Sequence, residues 1–213
     1  MKKSFGIISG AGPMAGVLLY RQTIELLQAQ GAWQDSDFPK IFLMNIPFID
    51  MLDNKKNDVL VRNQLIKSLE ELYTKVDYVY IACQTLHAYL TPDELIYYRI
   101  ISLLHLIKTE LYSLDKPLWV VASSTSRRLN LHSQIHRSRV RYLNPQACDQ
   151  AIQSILRGLK PNLNWIIEKT FNSTVVLGCT EFSVSCEGLG FQWIDPIHLA
   201  ALDIVRKFIQ HGE

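Results

Sequence analysis

Short apolar runs alternate along the chain with longer stretches in which apolar residues recur at helical spacing. The short runs predict strands, and the longer stretches predict helices that connect them. The predicted strands are residues 4–9, 40–46, 77–82, 118–122, 139–143 and 173–178. This alternation is typical of βαβ units around parallel sheets.

The predicted helices begin with turn and capping residues in the expected places. Pro13 suits a first helical turn, and Thr91 precedes a proline and two acidic residues, as an N-terminal cap does. The predicted helices cover residues 13–30, 58–75, 91–111, 126–134, 147–157, 162–170 and 197–210. The order of elements restarts near residue 118 with no low-complexity linker between the halves. We therefore predict an α/β protein of two similar lobes, each a parallel four-stranded type of sheet flanked by helices. Their boundaries are residues 1–98 plus 195–213, and residues 99–194.

Two predicted strands end in the same way. The segment 79–87 is an apolar run that leads into Cys83, Gln84 and Thr85, and the segment 174–181 leads into Cys179 and Thr180. Ligands of open parallel sheets bind beyond the carboxyl ends of the strands. A thiol there also lies near a helix amino terminus, which favours the thiolate. We therefore expect the two thiols to face one ligand from opposite sides of a cleft between the lobes.

Composition limits the choice of partners. With 22 basic and 20 acidic residues the net charge is +2, which does not favour nucleic acid as a partner. No apolar run approaches the roughly 20 residues that cross a bilayer, so no membrane association is expected. The amino terminus has too short an apolar run for a signal peptide, and we expect a cytoplasmic protein. The four cysteines are then expected to be thiols, and with no C-x-x-C spacing a zinc site is not expected.

The turn after the first predicted strand matches a loose dinucleotide fingerprint. Gly10-Ala11-Gly12 is followed by Pro13-Met14-Ala15. Pro13 removes a backbone N–H that would help to bind a phosphate, and the second predicted strand lacks the usual acidic residue at its end. A tight turn that brings the backbone close to a small ligand, such as an amino acid carboxylate, is the favoured interpretation.

These motifs together resemble those of the aspartate/glutamate racemase family, which works without pyridoxal phosphate. Ser9-Gly10-Ala11-Gly12-Pro13 is similar to the family's first turn, and Ala82-Cys83-Gln84-Thr85-Leu86-His87 to its first cysteine motif. Leu177-Gly178-Cys179-Thr180-Glu181 matches its second cysteine motif without change, and Val120–Thr125 resembles its central strand and turn. The resemblance covers almost the whole chain.

The chain also departs from the family pattern. Gln84 stands in place of an asparagine, Met51 in place of an arginine, and Gly16 in place of a threonine. The segment from Thr125 to Cys179 is shorter than in typical members. These changes bear on which substrate is accepted, and they leave the thiol pair intact.

The resemblance implies a cofactor-independent amino acid racemase, with aspartate or glutamate as the substrate, and a homodimer. One cysteine acts as a thiolate base and the other as a thiol acid, and turnover exchanges their roles. The catalytic residues are then Cys83 and Cys179, with no cofactor and no metal. The expected substrate-binding residues are Gly10, Ala11, Gly12, Asp50, Gln84, Thr85, Thr125, Lys160, Thr180 and Glu181.

Several alternatives remain open at this stage. The cysteines could be small buried core residues, His87 could polarise Cys83 or bond to the backbone, and Lys160 could be an ordinary surface lysine. The arginine-rich stretch 127–141 could bind anions or nucleic acid, although a solvated or acid-paired face is favoured. A hydantoin racemase, a maleate isomerase-like enzyme and a degenerate amino-acid-binding protein of the same fold are the alternative functions.

Overall fold

The structure, a computed structural model, describes residues 2–52, 55–113, 118–135, 140–186 and 193–210. It contains two four-stranded parallel sheets. The first has strands β1 (Ser4–Ser9), β2 (Lys40–Asn45), β3 (Tyr78–Ile81) and β4 (Ile100–Ile101), in the order β2-β1-β3-β4. The second has β5 (Leu118–Val121), β6 (Val140–Tyr142), β7 (Thr174–Leu177) and β8 (Trp193–Ile194), in the order β6-β5-β7-β8. The two sheets therefore share one topology, and the predicted fold class is confirmed.

Helices cover the faces of both sheets. In chain order they are α1 (Pro13–Ala29), α2 (Asp58–Leu72), α3 (Pro92–Tyr97), α4 (Leu103–Glu110), α5 (Ser124–Arg128), α6 (Pro145–Leu156), α7 (Asn164–Lys169), α8 (Thr180–Cys186) and α9 (Pro196–Gln210). Short 3₁₀ turns lie at Asp35–Asp37, Lys55–Asn57, Thr85–Tyr89, Leu111–Ser113 and Leu131–Gln134.

Each sheet is buried on both faces because alternate residues of its strands enter different core clusters. Tyr80 of β3 packs with α1 and α9, whereas its neighbours Val79 and Ile81 pack on the other face with α2. In the second sheet Val176 and its neighbour Val175 likewise pack into different core clusters, on opposite faces of the sheet. Near-continuous apolar strands with two covered faces are what parallel sheets require.

The last helix connects the two lobes. Ile204 and Phe208 of α9 share a core cluster with Leu19 of α1, while Leu199 packs against the core of the second sheet. The first sheet also includes β4, which lies beyond residue 98, where the sequence places the end of that lobe.

The prediction of one helix over residues 91–111 is wrong. Helix α3 ends at Tyr97, Arg99 has a left-handed φ of 54°, and β4 precedes α4. The Arg99 guanidinium donates to the carbonyls of Tyr73 and Val76, which holds this break against the end of α2.

The helix predicted over residues 126–134 is likewise divided into α5 and a 3₁₀ turn, with Asn130 at φ 51° between them. Residue 139, the predicted start of the fifth strand, lies outside the described residues. The two-residue strands β4 and β8 were not predicted.

Candidate active site

Cys83 and Cys179 occupy equivalent positions in the two lobes. Each lies two residues beyond the third strand of its own lobe, β3 in the first and β7 in the second. Both thiols are largely buried, and both line one cavity of about 150 Å³ between the lobes. The other lining residues are Gly10, Ala11, Gly12, Pro13, Phe48, Ile49, Asp50, Met51, Leu52, Thr85, Ser123, Thr125, Ile152, Leu156 and Glu181.

Glu181 brings a carboxylate into the same cavity. The Cys179 thiol donates a hydrogen bond to Glu181 Oε2 at 2.7 Å, within the first turn of α8. On its other side the carboxylate lies against Gly12, where an added Cβ would stand 2.0 Å from Glu181 Oε1. Gly12 also has a φ of 91°, so both its backbone and its missing side chain suit this close approach. A phosphate bound at this turn would meet the carboxylate, which argues against the dinucleotide interpretation.

The pKa values of both thiols are raised, not lowered as the sequence predicted. Burial, reinforced by the charge of Glu181, raises the pKa of Cys83 to about 12 against opposing hydrogen bonds from the Leu86 and Thr85 N–H groups. Burial and Glu181 also raise the pKa of Cys179 well above its ordinary value. The prediction failed because desolvation and a nearby carboxylate outweigh the N–H groups that follow each strand. Burial raises the pKa of Glu181 as well.

Hydroxyl groups line the wall beside Cys83. Thr85 Oγ1 and Ser126 Oγ lie 2.7 Å apart, and Ser126 Oγ lies 3.0 Å from Ser123 Oγ, which forms a short chain that crosses the lobe interface. The Thr125 hydroxyl donates to the carbonyl of Met51 at 2.5 Å and so ties the loop after β2 to the second lobe. Thr85 and Ser123 are therefore better placed than Thr125 to donate to a ligand.

Three expected substrate-binding residues lie outside the cavity lining. Gln84 donates to the carbonyl of Leu177 at 2.6 Å, and its Oε1 lies 3.0 Å from His132 Nε2. Thr180 Oγ1 donates to the carbonyl of Ala82 at 3.0 Å. Both side chains therefore join the two lobes. The Gln84 amide reaches the end of β7, and the Thr180 hydroxyl reaches the residue after β3. Lys160 is exposed on the surface beyond α6.

His87 does not polarise the Cys83 thiol. Its Nδ1 lies 3.0 Å from the Cys83 carbonyl oxygen, and its Nε2 accepts from the Leu103 N–H at 3.4 Å. Burial lowers the pKa of His87 to about 4, so the ring is neutral. The backbone-bonded alternative is the one that the structure supports. Cys148 and Cys186 are also buried, but neither lines the cavity.

The arginines of the stretch 127–141 that the structure describes contact other side chains of the protein. Arg128 forms a two-pronged ion pair with Asp58, with N–O distances of 3.0 and 3.1 Å. Arg127 lies over the ring of Tyr142, and Arg141 over the ring of Trp119. Residues 136–139, which hold the other two arginines, lie outside the described residues. Within the described ranges, no group of three or more His, Cys, Asp or Glu side chains is arranged to hold a metal ion.

Sequence reasoning identified half of the cavity and missed the rest. Ser123 lies two residues beyond β5, as Ala11 lies two residues beyond β1, so the internal symmetry of the chain was the signal that would have found it. The apolar lining residues gave no such signal, because Ile152 and Leu156 of α6 have the spacing of any core-facing pair. Asp50 does line the cavity, and its Oδ1 accepts from the Leu52 N–H at 2.9 Å.

The site is thus a cleft between two α/β lobes of one topology, with a thiol from each lobe and a carboxylate beside them.

No protein-family model matches this sequence. Among solved structures, Picrophilus torridus aspartate racemase is similar over 96% of this chain and 93% of its own, with 18% identity and a TM-score of 0.75. A putative Asp/Glu racemase from Yersinia pestis has 15% identity over 98% of this chain and 100% of its own, with a TM-score of 0.75. Glutamate racemase from Francisella tularensis, in complex with D-glutamate, has 16% identity over 99% and 82%, with a TM-score of 0.72. The chain therefore shares the fold of these racemases.

Proposed function

We propose that this protein is a cofactor-independent amino acid racemase, an isomerase with two thiol groups as its acid and base. The observation that carries the proposal is the equivalent placement of Cys83 and Cys179 beyond the third strand of each lobe, on one cavity. Inversion at Cα needs a base on one face and an acid on the other, and one side chain cannot easily reach both faces. The fold shared with the aspartate and glutamate racemases supports the same function.

The proposed reaction moves one proton at each thiol. A thiolate removes the α-proton, so the Cα–H bond breaks and an S–H bond forms. The electron pair left on Cα then takes a proton from the second thiol on the opposite face, which becomes the new thiolate. Donors from Thr85 and Ser123 stabilise the charge that develops on the substrate carboxylate. The reverse reaction uses the two cysteines in exchanged roles.

Glu181 and the substrate ammonium have complementary roles in this proposal. Burial and the Glu181 carboxylate together raise the pKa of both thiols, so the thiolate is scarce. A substrate ammonium bound beside Glu181 would compensate that charge and make the thiolate easier to form. The enzyme would then gain its base when the amino acid binds.

Deuterium exchange at Cα tests this function. In deuterium oxide the protein should incorporate deuterium at Cα of its amino acid substrate and convert one enantiomer into the other, as read by NMR and chiral chromatography. Stabilisation by amino acids without Cα exchange would instead indicate the binding-protein alternative, and exchange confined to hydantoins would indicate the hydantoin racemase.

A homodimer and a cytoplasmic location stay predictions from the sequence. Sedimentation analysis checks the dimer by comparing the mass in solution with the 24.5 kDa of one chain. No helix within the described ranges is long and apolar enough to cross a membrane.

A further inference from the structure

The lining of the cavity includes an apolar wall. Four of its residues come from the loop after β2 and two from α6, and all six side chains are aliphatic, thioether or aromatic: Phe48, Ile49, Met51, Leu52, Ile152 and Leu156. A bound amino acid whose α-carbon lies between the two thiols shares the cavity with these apolar side chains.

Both charged groups among the described lining residues are carboxylates, Asp50 and Glu181. The guanidinium of Arg128 is held in its ion pair with Asp58, and Lys160 is exposed and does not line the cavity. A second carboxylate on the substrate would therefore meet apolar groups and two negative charges, and its desolvation would be costly.

The size of the cavity favours a small substrate. A cavity of about 150 Å³ is the size that holds one benzene molecule. The α-ammonium, α-carbon and α-carboxylate occupy much of that space, which leaves room for a short side chain toward the apolar wall.

We propose that the substrate is an amino acid with a short, uncharged aliphatic side chain, which packs on the apolar wall formed by Phe48, Ile49, Met51, Leu52, Ile152 and Leu156. This inference rests on the proposed racemase function and departs from the acidic substrate that the sequence implied.

A substrate panel tests this directly. Alanine, 2-aminobutyrate, valine, aspartate and glutamate are each incubated with the protein in deuterium oxide, and kcat/KM for Cα exchange is measured by NMR. The kcat/KM of the best aliphatic substrate should exceed that of aspartate and of glutamate by at least about tenfold. This factor corresponds to one missing charge-assisted hydrogen bond to the second carboxylate. Faster exchange of aspartate or glutamate would overturn the substrate class and leave the racemase function standing. No exchange of any amino acid would overturn both.

A charge introduced into the wall gives a second, independent test. Leu156→Arg is chosen because Leu156 lines the cavity and is 48% exposed, so the fold should accept the guanidinium. In this variant the kcat/KM for aspartate, divided by that for the best aliphatic substrate, should rise by about tenfold or more. The matched control is Leu159→Arg, three residues further along and 58% exposed outside the cavity, which should leave the ratio unchanged. An equal shift in both variants, or none in Leu156→Arg, would contradict the placement of the substrate side chain.

Discussion

At the scale of single residues, Glu181 adds to the effect of burial on the acidity of both thiols. Its charge follows burial as the second cause of the raised pKa of Cys83 and of Cys179, and Cys179 donates a hydrogen bond to it. Glycine at position 12 is needed for that carboxylate to approach the first lobe. One acidic side chain of the second lobe therefore acts, together with burial, on the pKa of the thiols from both lobes.

Replacement of Glu181 tests this effect. Glu181→Gln should lower the pKa of both thiols, because the neutral amide no longer opposes the thiolate. Each unit of decrease raises the thiolate fraction about tenfold at a pH below the pKa. Alkylation of Cys83 and Cys179 by iodoacetamide, followed at pH 8 by peptide mass spectrometry, should therefore become faster. The exposed Glu168→Gln on α7 serves as the control. Unchanged alkylation in Glu181→Gln would mean that burial alone sets these pKa values.

At the scale of elements, the long central strands and amphipathic helices follow from the sequence, and the short pieces do not. The limits of β1 and the start of α2 agree with the prediction because a buried run and a helical period each mark them. Strands β4 and β8 have two residues each, too few for any period to appear. The break at Arg99 depends on carbonyls of the chain more than twenty residues earlier, which no local pattern contains.

The start of α3 carries an acid-sensitive contact between helices. Glu94 accepts from the Thr91 N–H and pairs with Arg62 of α2, and the Arg62 hydrogen bond is the largest cause that lowers the pKa of Glu94 to about 2. The folded pKa lies below the ordinary value, so this contact stabilises the fold above about pH 4.5 and is lost as the pH falls toward 2.

Glu94→Gln should therefore lower the melting temperature at pH 7, and the difference from the parent should shrink between pH 4.5 and 2. Glu71→Gln, which breaks an exposed i,i+4 pair with Lys75, should change the melting temperature little at any pH. A Glu94→Gln difference that stays constant from pH 7 to 2 would contradict the assigned cause.

At the scale of the whole molecule, the lobes are held together around the cavity by polar contacts from both sides. Gln84 and Thr180 reach the strand ends of the opposite lobe, Thr125 holds the loop after β2, and Arg128 pairs with Asp58. The sequence indicated which motifs meet but not these contacts, because each joins residues that only the packed lobes bring together.

The ion pair between Arg128 and Asp58 is a partly exposed contact between the lobes, so it can be removed by one substitution. Arg128→Met should lower the free energy of unfolding by about 1–3 kcal/mol, between the values for exposed and buried pairs. It should also raise KM, because the lobes that form the cavity lose a connection. Urea unfolding and steady-state kinetics measure both effects. Arg127→Met, which removes a contact with the Tyr142 ring, should leave KM unchanged. A normal KM in Arg128→Met would show that the other contacts suffice.

The central claim is that each thiol serves one face of the substrate, and enantiomer-specific exchange in single-cysteine variants tests it most directly. In deuterium oxide, Cys83→Ser should exchange Cα of one enantiomer only, Cys179→Ser that of the other, and neither should racemise, since the remaining thiol reaches one face. Cys148→Ala, at a buried thiol outside the cavity, should behave as the parent. Racemisation near the parent rate by Cys83→Ser or Cys179→Ser, or exchange of both enantiomers by one variant, would contradict the two-thiol account.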